Sequence, residues 1–269
     1  MPVCNGLLFD WSSWIKEQDR SKADAMQTAL EALSPAGDDT LTVGPVQRLS
    51  RRDSRDIPTI QTSWAGAVPI LHAAAGVRRV CALAYVLTWA WQEHRLVADH
   101  MGEPATRSVL MLFDEVESHL HPRWQRTTLA SLRDLGGVLL GDVGLQLMVT
   151  THSPLVMASA EPWFDAEQDA WFDLDLEGDP PLVTLRERRY RPLGSAGSWL
   201  TSEAFDLATD RGNVEAETAV VRARKLLRDP HPRLAQVMAV DEALRAALPD
   251  VDEFWVRWNA FVERNGGSP

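Results

Sequence analysis

The sequence is short of cysteine and of long apolar runs. Its two cysteines, Cys4 and Cys81, are too few for a disulfide framework, which fits a reducing cytoplasm. The apolar run from Cys81 to Trp91 falls short of the ~20 residues that a membrane span needs. The first residues also lack the basic and apolar regions of a secretion signal. We therefore expect a cytoplasmic protein without a membrane partner.

Positive charge is scarce as well. The 269 residues include 38 acidic and 27 basic ones, for a net charge of −11 at pH 7. Affinity for nucleic acids rests largely on lysine and arginine contacts with phosphates, so a surface coated with phosphate-binding residues is excluded. A local basic groove or a basic partner segment stays compatible with this balance. The apolar fraction of 45% is typical of a globular protein.

Four segments organise the amino-terminal part of the chain. Apolar residues at helical spacing predict one helix from Trp11 to about residue 36. Residues 37–56 are rich in Gly, Pro, Ser and charge, which predicts a loop around one short strand. Residues 57–63 alternate in polarity and predict a strand, and residues 77–100 predict a long helix.

The middle of the chain predicts an α/β core. Val109–Phe113 and Gln146–Thr150 are continuous apolar runs of the kind found in buried parallel strands. Between them, Pro122 suits the first turn of a helix and residues 124–135 have helical periodicity. Strand, helix and strand in this order are typical of a parallel sheet with flanking helices.

The carboxy-terminal part predicts a hairpin followed by helices. Residues 171–176 and 182–186 flank a Gly-Asp-Pro-Pro turn and predict two antiparallel strands. From Thr201 onward the pattern is helical, with breaks near Gly212, Asp229-Pro230 and Pro249. Aromatic residues of this tail (Phe254, Trp255, Trp258 and Phe261) predict apolar faces that dock a partner.

The strongest chemical signal is the pair Asp114-Glu115, directly after the first buried strand. Ligands bind at the carboxyl ends of strands in α/β sheets, and Asp114 there suits a magnesium ion held through its water shell. Glu115 suits the orientation or deprotonation of an attacking water. The alternative is a strand end whose acids cap the next turn. His152 follows the second strand in Thr-Thr-His-Ser-Pro, so an imidazole is expected beside the acids.

These motifs resemble the ABC-type ATPase heads of the SMC, RecF and OLD-nuclease class, from about Trp64 to Pro162. The resemblance implies that Asp114 and Glu115 are the Walker B pair, that Ser118 to His121 form the D-loop, and that His152 is the switch histidine. It also places Ala73-Ala74-Ala75-Gly76-Val77-Arg78-Arg79 at the signature motif, where helix amides cap the nucleotide of the opposite protomer and Arg78 adds charge. The tail resembles PtuA-like defence ATPases more loosely.

Two departures from this pattern stand out. Ala74 occupies the signature position that usually carries serine. No Gly-x-x-x-x-Gly-Lys-Ser/Thr occurs, and none of the three lysines, Lys16, Lys22 and Lys225, follows a glycine-rich loop. We expect the chain to begin after the P-loop, so that the isolated chain is inactive and the central sheet is small, with an exposed apolar face and edge.

The sequence thus predicts a partial P-loop NTPase of the ABC-head type. Residues 1–63 form a helix and loop region, residues 64–195 the carboxy-terminal ATPase lobe and residues 196–269 a helical tail. The predicted function is ATP hydrolysis with Mg²⁺ in a DNA-associated or defence-related assembly, in which catalysis falls to Glu115 and His152, the metal to Asp114, and nucleotide contacts to Ala75, Gly76, Arg78, Ser118 and His121. The expected partners are a P-loop-bearing lobe or a second copy, with a nuclease and DNA as further partners.

Two alternatives remain open at this point. A catalytically degenerate head would serve as an interaction module, or the chain would be the product of a truncated gene. Alternatively, His119 and His121 would join Glu115 or Glu117 in a hydrolytic metal site. The first alternative predicts partner binding without turnover, and the second predicts tightly bound zinc.

Overall fold

The computed structural model describes residues 5–18, 20–35 and 40–267. The chain divides into two units. Unit 1 takes in the chain up to Asp169 together with Tyr190–Pro192, and unit 2 takes in Ala170–Arg189 and the chain from Leu193. The boundaries predicted at residues 63 and 195 stay predictions. Among the described residues, no helix is both long enough and apolar enough to cross a membrane.

Unit 1 begins with two helices, α1 (Leu7–Lys16) and α2 (Ser21–Leu33), where the sequence predicted one. That prediction is wrong because the chain turns extended at Glu17, and the Arg20 guanidinium donates to the carbonyl of Ile15 at 3.1 Å. The charged stretch between the helices has no apolar residue to bury, so a continuous helix would gain nothing there. The predicted end of the helix at residue 36 lies outside the described residues.

An antiparallel sheet follows, in the order β1 (Thr42–Val43), β2 (Thr59–Thr62) and β3 (Gly66–Pro69). The first two strands confirm the predictions, although residues 37–39 of the predicted loop lie outside the described part. Strand β3 was missed, because it begins with Gly66 and ends with Pro69, two residue types that are depleted in strands. Gly66, with φ +66°, provides the left-handed backbone that turns the chain from β2 into β3.

The long helix α3 (Ala75–Met101) confirms the prediction for residues 77–100. Gly102 ends it in the left-handed conformation, with φ 68°. Its buried face includes Val80, Cys81 and Ala84, which join the main apolar cluster of unit 1. Burial raises the pKa of the Cys81 thiol to about 12, which disfavours its reactive thiolate form.

Strands β4 (Ser108–Phe113) and β5 (Gly144–Val149) form the predicted parallel pair, with Phe113 opposite Val149. One face packs on the apolar core through residues such as Met111 and Leu147. The other face is open: Leu110, Leu112 and Met148 are 53%, 66% and 58% exposed. Within the described residues this sheet has only these two strands, so the small sheet with an exposed apolar face is confirmed.

Between these strands, the predicted helix is interrupted. Helix α4 (Pro122–Gln125) ends one turn after Pro122, and α5 (Thr128–Leu135) continues as a π-helix over Gly136–Leu140. After β5 comes α6 (Pro154–Ala160), whose first amides donate to the Ser153 hydroxyl. The β5–α6 loop therefore begins at the carboxyl end of the parallel sheet and ends at a capped helix.

In unit 2, β6 (Trp171–Glu177) and β7 (Leu182–Arg188) form the predicted antiparallel hairpin. One face has cross-strand ion pairs, Arg188 with Asp173 and Arg186 with Glu177. The opposite face is apolar, and five of its side chains are half exposed or more: Phe172, Leu174, Leu176, Val183 and Leu185.

The tail of unit 2 contains four helices: α7 (Ala196–Leu200), α8 (Val214–Leu226), α9 (Leu234–Ala247) and α10 (Phe254–Arg264). The last three begin after the predicted breaks, but residues 201–213 form turns, so helix from Thr201 onward was wrong. Phe254, Trp258 and Phe261 are buried within the cluster that α8, α9 and α10 form. These three rings complete the core of the bundle instead of offering a docking face.

Candidate functional site

The two acids lie at the carboxyl end of β4, beside the end of β5. Thr150 connects them: its hydroxyl donates to Asp114 Oδ1 at 2.6 Å and accepts from the Glu115 amide at 2.9 Å. The Thr150 amide donates to the Phe113 carbonyl at 2.9 Å, which extends the strand pairing by one residue. Asp114 and Glu115 are both exposed, so their carboxylates face solvent at the edge where α/β sheets bind ligands.

The segment after the acids has an unusual backbone. Glu115 and His119 have φ values of +46° and +63°, and they are two of the three non-glycine residues with positive φ in the described chain. Such conformations cost roughly 1–2 kcal/mol each and cluster at functional sites. Here they bend the chain tightly, so that the Ser118 hydroxyl donates to Glu115 Oε2 at 2.8 Å.

The loop from Thr150 to Ser153 is tied to the segment that follows Asp114. Glu117 accepts two hydrogen bonds at 2.6 Å, from the His152 amide at Oε1 and from the Thr151 hydroxyl at Oε2. The Ser153 hydroxyl donates to Gln125 Oε1 at 2.7 Å while it caps α6. The loop that carries His152 is therefore anchored on both sides of that residue.

The first turn of α3 lies against the same segment. No side chain caps this helix end, which begins with Ala75 and Gly76. A Cβ on Gly76 would lie 2.6 Å from the carbonyl oxygen of His119, so only glycine fits here without movement. The Arg79 guanidinium donates to the carbonyl of Glu115 at 2.9 Å. Arg78 instead donates to the carbonyl of Leu71 at 3.5 Å, the outer limit of a hydrogen bond.

One histidine of this segment caps the next helix. His121 Nδ1 accepts from the amide of Arg123 at 3.3 Å and so caps α4. Among the described residues, no group of three or more His, Cys, Asp and Glu side chains is arranged to hold a metal ion. The zinc-hydrolase alternative built on His119 and His121 therefore lacks a ligand set.

The predicted residues thus fall into two groups. Asp114, Glu115 and Ser118 share one hydrogen-bonded cluster, and the backbone of His152 joins its border through Glu117. The other predicted residues lie around this cluster, at the α3 start (Ala75, Gly76 and Arg78) and at the α4 cap (His121).

Three residues that hold the cluster together had no connecting role predicted from the sequence: Arg79, Glu117 and Thr150. Arg78 and Arg79 are adjacent, so their side chains lie ~100° apart around the helix, and the sequence does not show which one faces the loop. Thr150 begins the Thr-Thr-His-Ser-Pro motif and Glu117 lies between Glu115 and Ser118, but their hydrogen-bond partners are distant in the sequence.

The donor set suits magnesium and, in part, a nucleotide. Mg²⁺ takes oxygen ligands and keeps several waters, so exposed carboxylates at a strand end fit it. Amides at an uncapped helix start fit phosphate oxygens. The motif Gly-x-x-x-x-Gly-Lys-Ser/Thr, whose amides and lysine usually hold the β- and γ-phosphates, does not occur in the sequence.

Comparison with known proteins places the chain in a family. A family model described as "AAA domain, putative AbiEii toxin, Type IV TA system" matches residues 16–158, more than half of the sequence. Similar solved structures include one from "Structural biochemistry of ATP-driven dimerization and DNA stimulated activation of SMC ATPases", at 13% identity and a TM-score of 0.40, covering 66% of this chain and 89% of the other.

Two further structures are Smc heads bound to ScpA. The SmcHead bound to the C-winged helix domain of ScpA is 16% identical, with a TM-score of 0.36, and the match covers 62% of this chain and 42% of that one. The Smc head domain with an extended coiled coil, bound to the C-terminal domain of ScpA and derived from Pyrococcus furiosus, is 15% identical. Its TM-score is 0.35, and the match covers 62% of this chain and 35% of that one. Because the family model matches more than half of the sequence, this chain belongs to the AAA domain family of that description.

Proposed function

We propose that this chain supplies the hydrolytic half of an ATP site, and that a P-loop-bearing segment or second chain supplies the other half. Asp114 and Glu115 are then the Walker B acids, Ser118 to His121 the D-loop, and His152 the switch histidine. Ala75 and Gly76 offer helix amides, and Arg78 positive charge, to the nucleotide of an opposing protomer.

One observation carries this proposal: Thr150 joins the acids to the loop that carries His152. Its hydroxyl contacts Asp114 and Glu115, and the next two residues lead to the histidine. A capped turn would need neither two exposed acids at a parallel strand end nor a left-handed backbone at Glu115. Both features are typical of a site under functional constraint.

The residues divide the chemistry between them. Mg²⁺, when bound, would supply charge neutralisation at the phosphates, and the Asp114 carboxylate is the group that would hold its water shell. Glu115 would orient the attacking water and accept its proton, because its carboxylate faces solvent next to Asp114. The Ser118 hydroxyl, at 2.8 Å from Glu115 Oε2, fixes the rotamer of that carboxylate. His152 would donate a hydrogen bond to phosphate or water.

The open face of the β4–β5 sheet supports a covering lobe. Parallel sheets occur almost only with both faces buried, whereas Leu110, Leu112 and Met148 are more than half exposed. Both outer strand edges also present unpaired backbone groups within the described sheet. We propose that the P-loop-bearing lobe pairs with one edge and covers this face, and that the assembly acts on DNA or in defence together with a nuclease.

The test is reconstitution with a P-loop-bearing lobe of the same family, with ATP and Mg²⁺. We expect negligible turnover by the chain alone and measurable hydrolysis by the pair. Glu115→Gln should abolish hydrolysis and leave ATP binding intact, since a neutral amide of the same shape cannot accept the proton. His152→Ala should slow turnover. The control is Glu103→Gln, which changes an exposed glutamate remote in sequence from the motifs.

Full activity of Glu115→Gln would show that Glu115 is not the Walker B base. Steady turnover by the purified chain alone would show that it holds a phosphate cradle of another kind. The first result would overturn the role of Glu115, and the second would overturn the division of the site between two segments.

Ala74 favours a second candidate function, an interaction module without turnover. An alanine at the signature position removes a hydroxyl donor to phosphate. In that case the chain would bind its partner with equal affinity whether or not ATP is present, and Glu115→Gln would change nothing. The retention of both acids together with their Thr150 contact favours catalysis over this candidate.

A further inference from the structure

The Glu117 carboxylate bridges two segments that lie more than thirty residues apart in the sequence. Its Oε1 accepts from the His152 amide and its Oε2 from the Thr151 hydroxyl, both at 2.6 Å. The Thr151 hydroxyl in turn accepts from the Ser153 amide at 3.0 Å. The Glu117 side chain thus holds the backbone amide of His152 directly and, through the Thr151 hydroxyl, the backbone amide of Ser153.

From this geometry we infer that Glu117 is a positioning residue, which sets the direction of the His152 imidazole by holding the backbone of its loop. The inference rests on the proposed function, in which His152 is the switch histidine. Hydrogen bonds to an ionised acceptor are shorter and roughly twice as strong as neutral ones. Because the anchor is a main-chain amide, the identity of the side chain at 152 does not alter it.

Glu117 differs from the two acids before it in how its oxygens are used. Asp114 and Glu115 are exposed, whereas Glu117 is half-buried and both of its oxygens are engaged by the neighbouring loop. Each Glu117 oxygen accepts a hydrogen bond from the loop of His152, which ties this carboxylate to that loop. Its effect on the reaction therefore passes through His152.

The chemistry of the bridge predicts different results for two substitutions. Glutamine can replace both bonds, because its carbonyl accepts from the His152 amide and its NH₂ donates to the Thr151 oxygen, whose hydroxyl rotates. Alanine removes both acceptors and leaves the His152 amide to solvent. If Glu117 acted through its charge alone, Glu117→Gln and Glu117→Ala would impair the site equally.

The anchor is measured on the full chain, without nucleotide. Labelling with ¹⁵N-histidine gives seven backbone amide signals at most, since the sequence has seven histidines, and His152→Asn identifies the one from residue 152. We expect Glu117→Ala to accelerate hydrogen exchange at His152 roughly tenfold or more, the scale of a lost charge-assisted hydrogen bond. Glu117→Gln, whose neutral bond keeps about half of that strength, should raise the rate by less than roughly tenfold, and the control Glu103→Ala should leave it within a factor of about three of the wild type.

The catalytic consequence is measured with the P-loop-bearing lobe. Glu117→Ala should lower kcat roughly tenfold to a hundredfold with the KM for ATP unchanged, and Glu117→Gln should restore kcat, because misplacement of one group affects the transition state alone. Unchanged exchange at His152 in Glu117→Ala overturns the anchor. Faster exchange with an unchanged kcat overturns the positioning role. Faster exchange with no ATPase activity in any variant, wild type included, refutes the proposed function while the anchor stands.

Discussion

Replacement of Gly76 by alanine tests the contact between the first turn of α3 and the loop after Glu115. The added Cβ would lie 2.6 Å from the carbonyl oxygen of His119, well inside van der Waals contact. That oxygen belongs to backbone in the left-handed conformation, with φ +63°, so it cannot move aside as a flexible side chain would. Either the helix start or the loop must shift.

We expect Gly76→Ala to destabilise the protein, whereas Gly→Ala in a helix usually stabilises it. In an open helical position, Gly→Ala stabilises by up to ~1 kcal/mol, because glycine loses more backbone entropy on folding. Overpacking of a close contact costs typically ~1–3 kcal/mol. We expect Gly76→Ala to lower the free energy of unfolding by about 1–2 kcal/mol in net terms.

The assay is urea unfolding of the full chain, followed by far-UV circular dichroism. Gly137→Ala is the matched control, because this glycine lies in the π-helix with no atom within 4 Å of its added Cβ. It should be neutral or stabilising. If Gly76→Ala proved as stable as Gly137→Ala, the close approach of α3 to the His119 carbonyl would be refuted.

Two further predictions concern the open sheet face and the acid stability of unit 2. Leu112→Lys should reduce binding of an apolar dye and block association with the P-loop-bearing lobe, while Val251→Lys, at 93% exposure, should do neither. Hydrogen bonds from Arg211 lower the pKa of Asp252 in the fold, so the unfolded chain binds that proton more readily. Stability from this pair is therefore present above the ordinary carboxyl pKa and lost as pH falls below about 4. Unfolding of Asp252→Asn should depend less on pH in that range; an unchanged acid transition would contradict the pairing.

Local pattern was sufficient for the elements that carry the motifs. Val109–Phe113 was predicted as a strand because a short run of five apolar residues followed by two acids is typical of a strand with a polar end. The long helix and the hairpin were predicted because their periodicity extends over many residues. The break at Glu17 was not predicted, because apolar residues continue at helical spacing on both sides of it.

The aromatic residues of the tail show a second limit. Their spacing on α10 indicated an apolar face, but not which surface covers it. Trp258 is fully buried and its indole donates to Asp241 Oδ1 at 2.9 Å, a contact with α9 inside the same bundle. The aromatic face of α10, which the sequence pattern assigned to a partner, is thus covered by other helices of unit 2.

The sequence by itself placed the proposed site, because Asp114 and Glu115 directly follow β4, His152 lies three residues after β5, and parallel strands end at a common edge. Only the tertiary structure decided how these residues are held. Arg79 rather than Arg78 reaches the Glu115 carbonyl, and Glu117 binds the loop of His152. Such contacts join residues more than thirty positions apart and depend on distances of a few tenths of an ångström, which packing sets and no local pattern encodes.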